Sequence, residues 1–441
     1  MLGRRDLLMA GLGGGIALTG LTGPLGLSAA FADVPGDKRF VFIVLRGAMD
    51  GLNVVVPYGD AAYRNLRREL AMAAPGETGG VSNLDGFFGL HPKLTQLSAW
   101  YQEKALLPIQ AVATAYRDRS HFDGQDLLET GGTTPRAIGD GWLNRSLAAL
   151  GGQPRLGLAV SDQVPLVIRG KVEVASWAPS NIPGADSSFI GLVQAMYRQQ
   201  PQFENTLTAA ISATQMADQA TAMNDDGSAA TGMNGGSTNG GGTNGTGTDD
   251  GAGRKAKPGQ MKPGQVKPGG AQLQMFTAAG KMLADPKGPR IAVLEVGGWD
   301  THTGQGTVEG RLGHNLELFD AALAGLRQGL GDAWGKTVIL AATEFGRTAA
   351  PNGTGGTDHG TASAAFMMGG AVSGGRVLAD WPGLASGKLY QDRDLAPTLD
   401  LRAVTKGVLH DHLGIAAAQL DEQIFPGSQQ AKPVTGLLRS A

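Results

Sequence analysis

Cysteine is absent from the 441 residues, which removes disulfides, thiolate metal ligands and a cysteine nucleophile together. Any metal must therefore be held by carboxylates, imidazoles, hydroxyls or water. An excess of either charge is missing too. The chain has 37 Lys and Arg against 39 Asp and Glu, with neither sign gathered into a stripe, so it carries no electrostatic footprint for a nucleic acid. Past the N-terminal region no segment is apolar enough to span a bilayer. Glycine is abundant, at 70 residues, and much of the excess lies in one internal tract. The length gives ample material for a core.

The N-terminus reads as a targeting segment, residues 1–32. Arg4-Arg5 precede a weakly apolar, Gly-rich run that closes on Ala30-Phe31-Ala32, an A-x-A cleavage pattern. Cleavage after Ala32 predicts a mature protein starting near Asp33, exported by the twin-arginine translocase to the periplasm or otherwise out of the bacterial cytoplasm. From about 224 to 270 the chain holds almost nothing apolar and a short KPGQ-type repeat, which predicts a disordered surface insertion inside a single domain over 33–441. Helical patterns, 203–223 and 271–284, flank it.

Elsewhere, short runs rich in Val, Ile and Leu alternate with helical patterns, as in a doubly wound, largely parallel α/β sheet with helices on both faces. Arg39–Gly47, Ala105–Ala113, Arg290–Gly298 and Lys336–Gly346 read as buried strands, with Ala362–Gly370 a weaker fifth. Leu312, Leu316, Phe319, Leu323 and Leu326 make one apolar stripe, predicting a helix packed on the sheet. Leu156–Pro179 reads as short β-like pieces in a small excursion beside it.

In open α/β sheets ligands bind beyond the carboxyl ends of the strands, so the residues just after each run are the candidates. Asp50 follows the first run; Ser120, His121 and Asp123 follow the second; Asp300 and His302 the third; Glu344 and Arg347 the fourth; and a Gly-rich loop then delivers Asp358 and His359. Several carboxylates with three histidines and no basic cluster call for a cation, because like charges gathered in a cleft are costly unless paired or metallated. Plainer roles stand beside these. Asp50 and Asp123 suit helix N-caps, Asp300 and His302 a simple hydrogen bond, and Glu344 and Arg347 a salt bridge unless Arg347 grips an anionic substrate. Ser120, beside His121, is the candidate nucleophile. His91 is a second-rank site candidate, His314 and His410 read as solvated, and His412 as packed near a helix end.

The stretches LRGAMDGLNVVVPYGD, RSHFDGQDLLETG, GWLNR, EVGGWDTHTGQ, TEFGRT, GGTDHGTASAAFMMGG and DLAPTLDLRAV, with the twin-arginine start, closely resemble the bacterial exported family called domain of unknown function 1501. The resemblance covers nearly the whole chain after residue 32 apart from the Gly-rich insertion. That family is grouped with alkaline phosphatases and sulfatases, which hold metals at the carboxyl edge of a doubly wound sheet and attack phosphate or sulfate esters with a Ser, Thr or modified residue. The resemblance implies an alkaline-phosphatase-like fold in which Asp50, Asp300, His302, Glu344 and His359 take ligand places, joined by Asp358, and Ser120 takes the nucleophile's. His121 or His302 would pass a proton to the leaving group, and Arg347 would orient the anion. The spacing here is Asp-x-His where phosphatases have Asp-x-x-x-His, and Phe345 stands where they carry a histidine, so one ion is as open as two. Oxygen and imidazole ligands suit Zn, Mn, Ca or Mg. The expected function is an exported, metal-dependent hydrolase of anionic phosphate or sulfate esters; the alternative is a non-catalytic exported binding or assembly protein with the same fold.

Overall fold

All seven residues of β1 (Arg39–Leu45) are buried, as a strand covered on both faces requires. The computed structural model describes residues 37–153, 156–178, 187–198, 211 and 270–439. The expected targeting segment, the Gly-rich stretch up to residue 269 and the helix expected over 203–223, apart from Ile211, lie outside the described residues.

The strands that follow are β2 (Val55–Val56), β3 (Ser82–Asn83), β4 (Gly89–Leu90), β5 (Leu106–Ala113), β6 (Gly157–Val160), β7 (Ala175–Trp177), β8 (Ile291–Val296), β9 (Thr337–Thr343), β10 (Ser363–Met368) and β11 (Leu399–Asp400). Eight of them form a mixed, mostly parallel sheet in the order β11-β5-β10-β9-β1-β8-β6-β7, and β2, β4 and β3 form a small second sheet. Within the main sheet, among the described residues, only β10 runs against its neighbours, β5 and β9; the small sheet is antiparallel. The segment Leu156–Pro179 supplies β6 and β7, which extend the main sheet in parallel from β8. The expected excursion is thus part of the sheet: its β-like pieces are strands, β6 paired on both sides and β7 at the edge, and both are too short to mark a place in the sheet from sequence.

Alternation along β1 divides the core. Val41, Ile43 and Leu45 pack with Leu312, Leu316, Phe319, Leu323 and Leu326 of the helix Arg311–Leu330 and with the helix Gly270–Ala284. Phe40, Phe42 and Val44 face the other way, onto Trp142 and Leu147 of the helix Trp142–Ala149 and Val404 and Val408 of the helix Leu401–Asp411. Helices therefore cover both faces of an α/β sheet. Each fully buried Leu or Phe contributes about 1.5–3 kcal/mol through the hydrophobic effect. The Trp299 ring meets Phe319 edge-on at 5.9 Å, and its Nε1 donates to the Val296 carbonyl at 2.9 Å. A buried indole thus pins the loop after β8 one residue before Asp300.

Direction decides what reaches the carboxyl edge. The loops after β5, β8 and β9 emerge there because those strands are parallel. Because β10 is antiparallel, the segment before it arrives at the same edge, and that segment carries Asp358 and His359.

Candidate metal centre

Three loops, after β5, after β8 and between β9 and β10, converge on a cluster of three imidazoles and a carboxylate. His302 Nε2 lies 2.9 Å from His359 Nε2 and 3.1 Å from Asp300 Oδ1. His359 Nε2 is 3.4 Å from the same oxygen. His121 Nε2 is 3.5 Å from Asp300 Oδ2; it is buried and makes no hydrogen bond. One ligand atom from each of His121, Asp300 and His359 lies within 4.8 Å of the other two, close enough to share an ion.

The opposite nitrogens explain how the rings are aimed. His121 Nδ1 meets Glu344 Oε1 at 2.8 Å, His302 Nδ1 meets Asp358 Oδ1 at 3.1 Å, and His359 Nδ1 meets the Arg119 carbonyl at 2.9 Å. Each partner only accepts, so each Nδ1 carries a hydrogen, and a ring that holds no second proton turns an Nε2 lone pair into the cluster. Two such lone pairs 2.9 Å apart, on His302 and His359, repel unless a proton or a cation lies between them.

Charge leads to the same requirement. Burial opposes ionisation of Glu344, but hydrogen bonds from His121, Thr343 and Gln125 outweigh it and hold the pKa below the ordinary value. Burial also acts against Asp300, where the Arg347 guanidinium and His302 prevail and lower it. Asp358 is lowered chiefly by its bond from Asn352. Arg347 stands on Asp300, Arg393 acts on Asp358 and His121 on Glu344, and the part-exposed Asp300 and Asp358 carboxylates favour a cation among the Nε2 atoms. His121 is raised by its bond to Glu344, and His359 is lowered by burial.

The expected site residues take different places. Asp300, His302 and His359 come together, and His121 joins them with a free Nε2. Glu344, expected as a ligand, is fully buried and instead accepts from Gly47, His121, Gln125 and Thr343. It orients His121. Asp358 likewise turns Oδ1 to His302 and Asn352. Asp50 also departs from its expected ligand place: it caps the helix Gly51–Val54 through Leu52 and is paired with the buried Arg67 and with Gln305. A cation of the protein already neutralises it. Arg347, 1% exposed, donates from Nη2 to Asp300 at 2.8 Å, while its Nε and Nη1 are buried without a hydrogen-bond partner. Ser120 starts the helix His121–Thr130, and its hydroxyl bonds to no cluster member among the described residues.

His91 is not part of the site. It is fully buried, its Nε2 meets the Thr307 carbonyl at 3.1 Å, and its Nδ1 accepts from Lys93. His412 is buried, and its Nε2 meets the Arg39 carbonyl at 2.8 Å. His314 and His410 are exposed.

Glycine allows the loops to meet. A Cβ on Gly356 would stand 2.4 Å from the His302 carbonyl, and one on Gly360 would stand 2.4 Å from that of Arg347. The Gly-rich stretch therefore permits close backbone approach. Sequence reasoning missed the Arg119 carbonyl, because nothing in side-chain chemistry marks a backbone acceptor, and it missed Asn352, whose amide ties the His302 carbonyl to Asp358.

Fold and cluster together define an α/β protein with a His- and Asp-lined candidate ion site at the carboxyl edge of its sheet. The chain belongs to the family described as "Protein of unknown function (DUF1501)", whose model matches residues 37–424. Curated proteins give no match. Among solved structures, "Crystal structure of Ps i-CgsB" is similar at 11% identity over 90% of this chain and 77% of that one, with a TM-score of 0.38. Its complex with k-i-k-neocarrahexaose gives the same identity and coverage with a TM-score of 0.37. So distant a likeness carries no argument.

Proposed function

We propose that this protein is an exported, metal-dependent hydrolase of phosphate or sulfate esters with an alkaline-phosphatase-like arrangement of its α/β fold. The observation that carries the reading is the approach of the His121, His302 and His359 Nε2 atoms to the Asp300 carboxylate, with every Nδ1 committed elsewhere. His121, His302, His359 and Asp300 would hold one divalent ion. Three imidazoles and one carboxylate favour Zn or Mn over Ca and Mg, which prefer all-oxygen sites. Bound there, such an ion supplies Lewis-acid polarisation of an ester oxygen and a lowered pKa for a nearby hydroxyl or water.

The chain's own groups do the rest. Arg347 holds Asp300 in place through Nη2 and sets beside the cluster a positive charge that would orient an anionic ester. Ser120, at the start of the helix that carries His121, is the proposed nucleophile. His121, charged more readily through its bond to Glu344, would protonate the leaving group whenever it is not engaged as a ligand. Twin-arginine export, before cleavage after Ala32, accounts for the Arg4-Arg5 start.

A panel of phosphate monoesters, phosphate diesters and sulfate esters, assayed with added Zn or Mn, tests the reading. Hydrolysis should fall by orders of magnitude in Arg347→Ala and Ser120→Ala. Activity indifferent to Ser120→Ala moves the nucleophile to water. An ion-loaded protein inert to the whole panel supports the alternative of a binding or assembly protein.

A further inference from the structure

We propose that Asp394 is a positioning residue of the ion site, fixing His359 through the strained backbone of Arg119. The proposal rests on reading His359 as a ligand.

The Arg119 carbonyl that receives His359 Nδ1 belongs to a residue with φ of +64°. A side-chain-bearing residue adopts the left-handed region at a cost and stays there only when its surroundings hold it. Asp394 supplies that hold. Its Oδ2 accepts Arg119 Nε at 2.8 Å, and the neighbouring Gln391 accepts Arg119 Nη2 at 2.6 Å. The same Oδ2 accepts the Thr361 hydroxyl at 2.8 Å, two residues past His359. One carboxylate oxygen therefore grips both sides of the His359 hydrogen bond: the residue that offers the carbonyl and the strand entry that carries the ring.

Asp394 is suited to the task because it cannot move freely. It is fully buried, and its backbone exchanges hydrogen bonds with Tyr390 at 2.8 and 3.0 Å. The turn between them is itself strained, with φ of +52° at Gln391 and +53° at Asp392. Backbone strain thus gathers on the two loops that meet behind His359, as it does at sites where geometry is imposed. His121 and His302 take their Nδ1 acceptors directly from carboxylates. His359 takes its own from a peptide carbonyl, and Asp394 puts the carboxylate one step further back.

The test titrates purified full-length protein with Zn2+ and records Co2+ absorption, which reports ligand number and geometry. Asp394→Asn should weaken Zn2+ binding about 10–100-fold, the range for outer-shell partners of ligating histidines, and alter the Co2+ spectrum. Arg119→Ala should do the same. Lys406→Met removes a buried tether to Asp421 distant in sequence from the cluster; it should lower stability and leave the affinity of the folded protein unchanged. Folded Asp394→Asn with wild-type affinity and spectrum overturns the proposal. If Asp394→Asn does not fold, Thr361→Val, which removes one arm of the grip, carries the decision by the same two readouts. Wild-type protein that binds no Zn2+ overturns the ion site itself, an outcome distinct from a variant that matches an ion-binding wild type.

Discussion

Two sets of histidines use their nitrogens in opposite ways. In the frame of the fold, His91 and His412 spend Nε2–H on the backbone carbonyls of Thr307 and Arg39. At the carboxyl edge, His121, His302 and His359 spend Nδ1–H on Glu344, Asp358 and Arg119 and turn their Nε2 atoms toward Asp300 and one another. The first set is satisfied within the protein. The second is satisfied only when a proton or a cation joins it. The two sets differ in burial and in which nitrogen is committed: the buried pair spends Nε2, whereas the half-buried three spend Nδ1 and leave Nε2 for the cluster.

Acid breaks the comparison most strongly from the frame side. Burial pushes His91 and His412 down to about 4, below the ordinary 6.5. The unfolded chain therefore binds more protons between those values, so the stability these rings contribute is complete above about pH 6.5 and is lost as the pH falls through about 4. At 1.36 kcal/mol per pKa unit, each ring accounts for about 3 kcal/mol. Urea unfolding at pH 7 and pH 4.5 should show this loss, and His91→Gln should flatten the pH slope without changing ion binding at pH 7. A slope unchanged by the substitution assigns the acid sensitivity elsewhere.

On the site side, Glu344→Gln keeps the shape and removes the charge that orients His121. It should weaken ion binding about 10–100-fold, or about 1.4–2.8 kcal/mol, read by competition with a chelator of known affinity. Wild-type affinity would show that His121 needs no carboxylate behind it. The smallest effect belongs to an exposed ring outside both sets: His314→Ala should stay within about 0.5 kcal/mol in stability and leave ion affinity alone, measured side by side with the other variants.

The contrast also separates what was legible in the sequence from what was not. The central strands could be read almost to the residue, because a parallel strand buried on both faces is a continuous apolar run: Arg39–Gly47 became β1 and Ala105–Ala113 became β5. Leu156–Pro179 reads as β-like but beside the sheet, since strands of four and three residues do not show in sequence which neighbours they pair with. For the site, the rule of looking beyond strand ends picked out His121, Asp300, His302 and His359. It could not assign roles to the acids, because a carboxylate's role is set by its partner. Asp50 meets Arg67, 17 residues away, and Glu344 meets His121, 223 residues away. Nothing local distinguishes the acid that is neutralised from the acid that orients a ring. The direction of β10, which delivers His359 to the cluster, is likewise a property of pairing with β5 and β9 and not of its own residues.

Ion stoichiometry tests the account most directly. Purified protein, supplemented with Zn or Mn and freed of loose metal, should carry about one divalent ion per chain by elemental analysis. Asp300→Ala and His359→Ala should carry almost none, and His91→Gln should match wild type. Wild-type protein without a stoichiometric ion, or both ligand variants loading as fully as wild type, would contradict it.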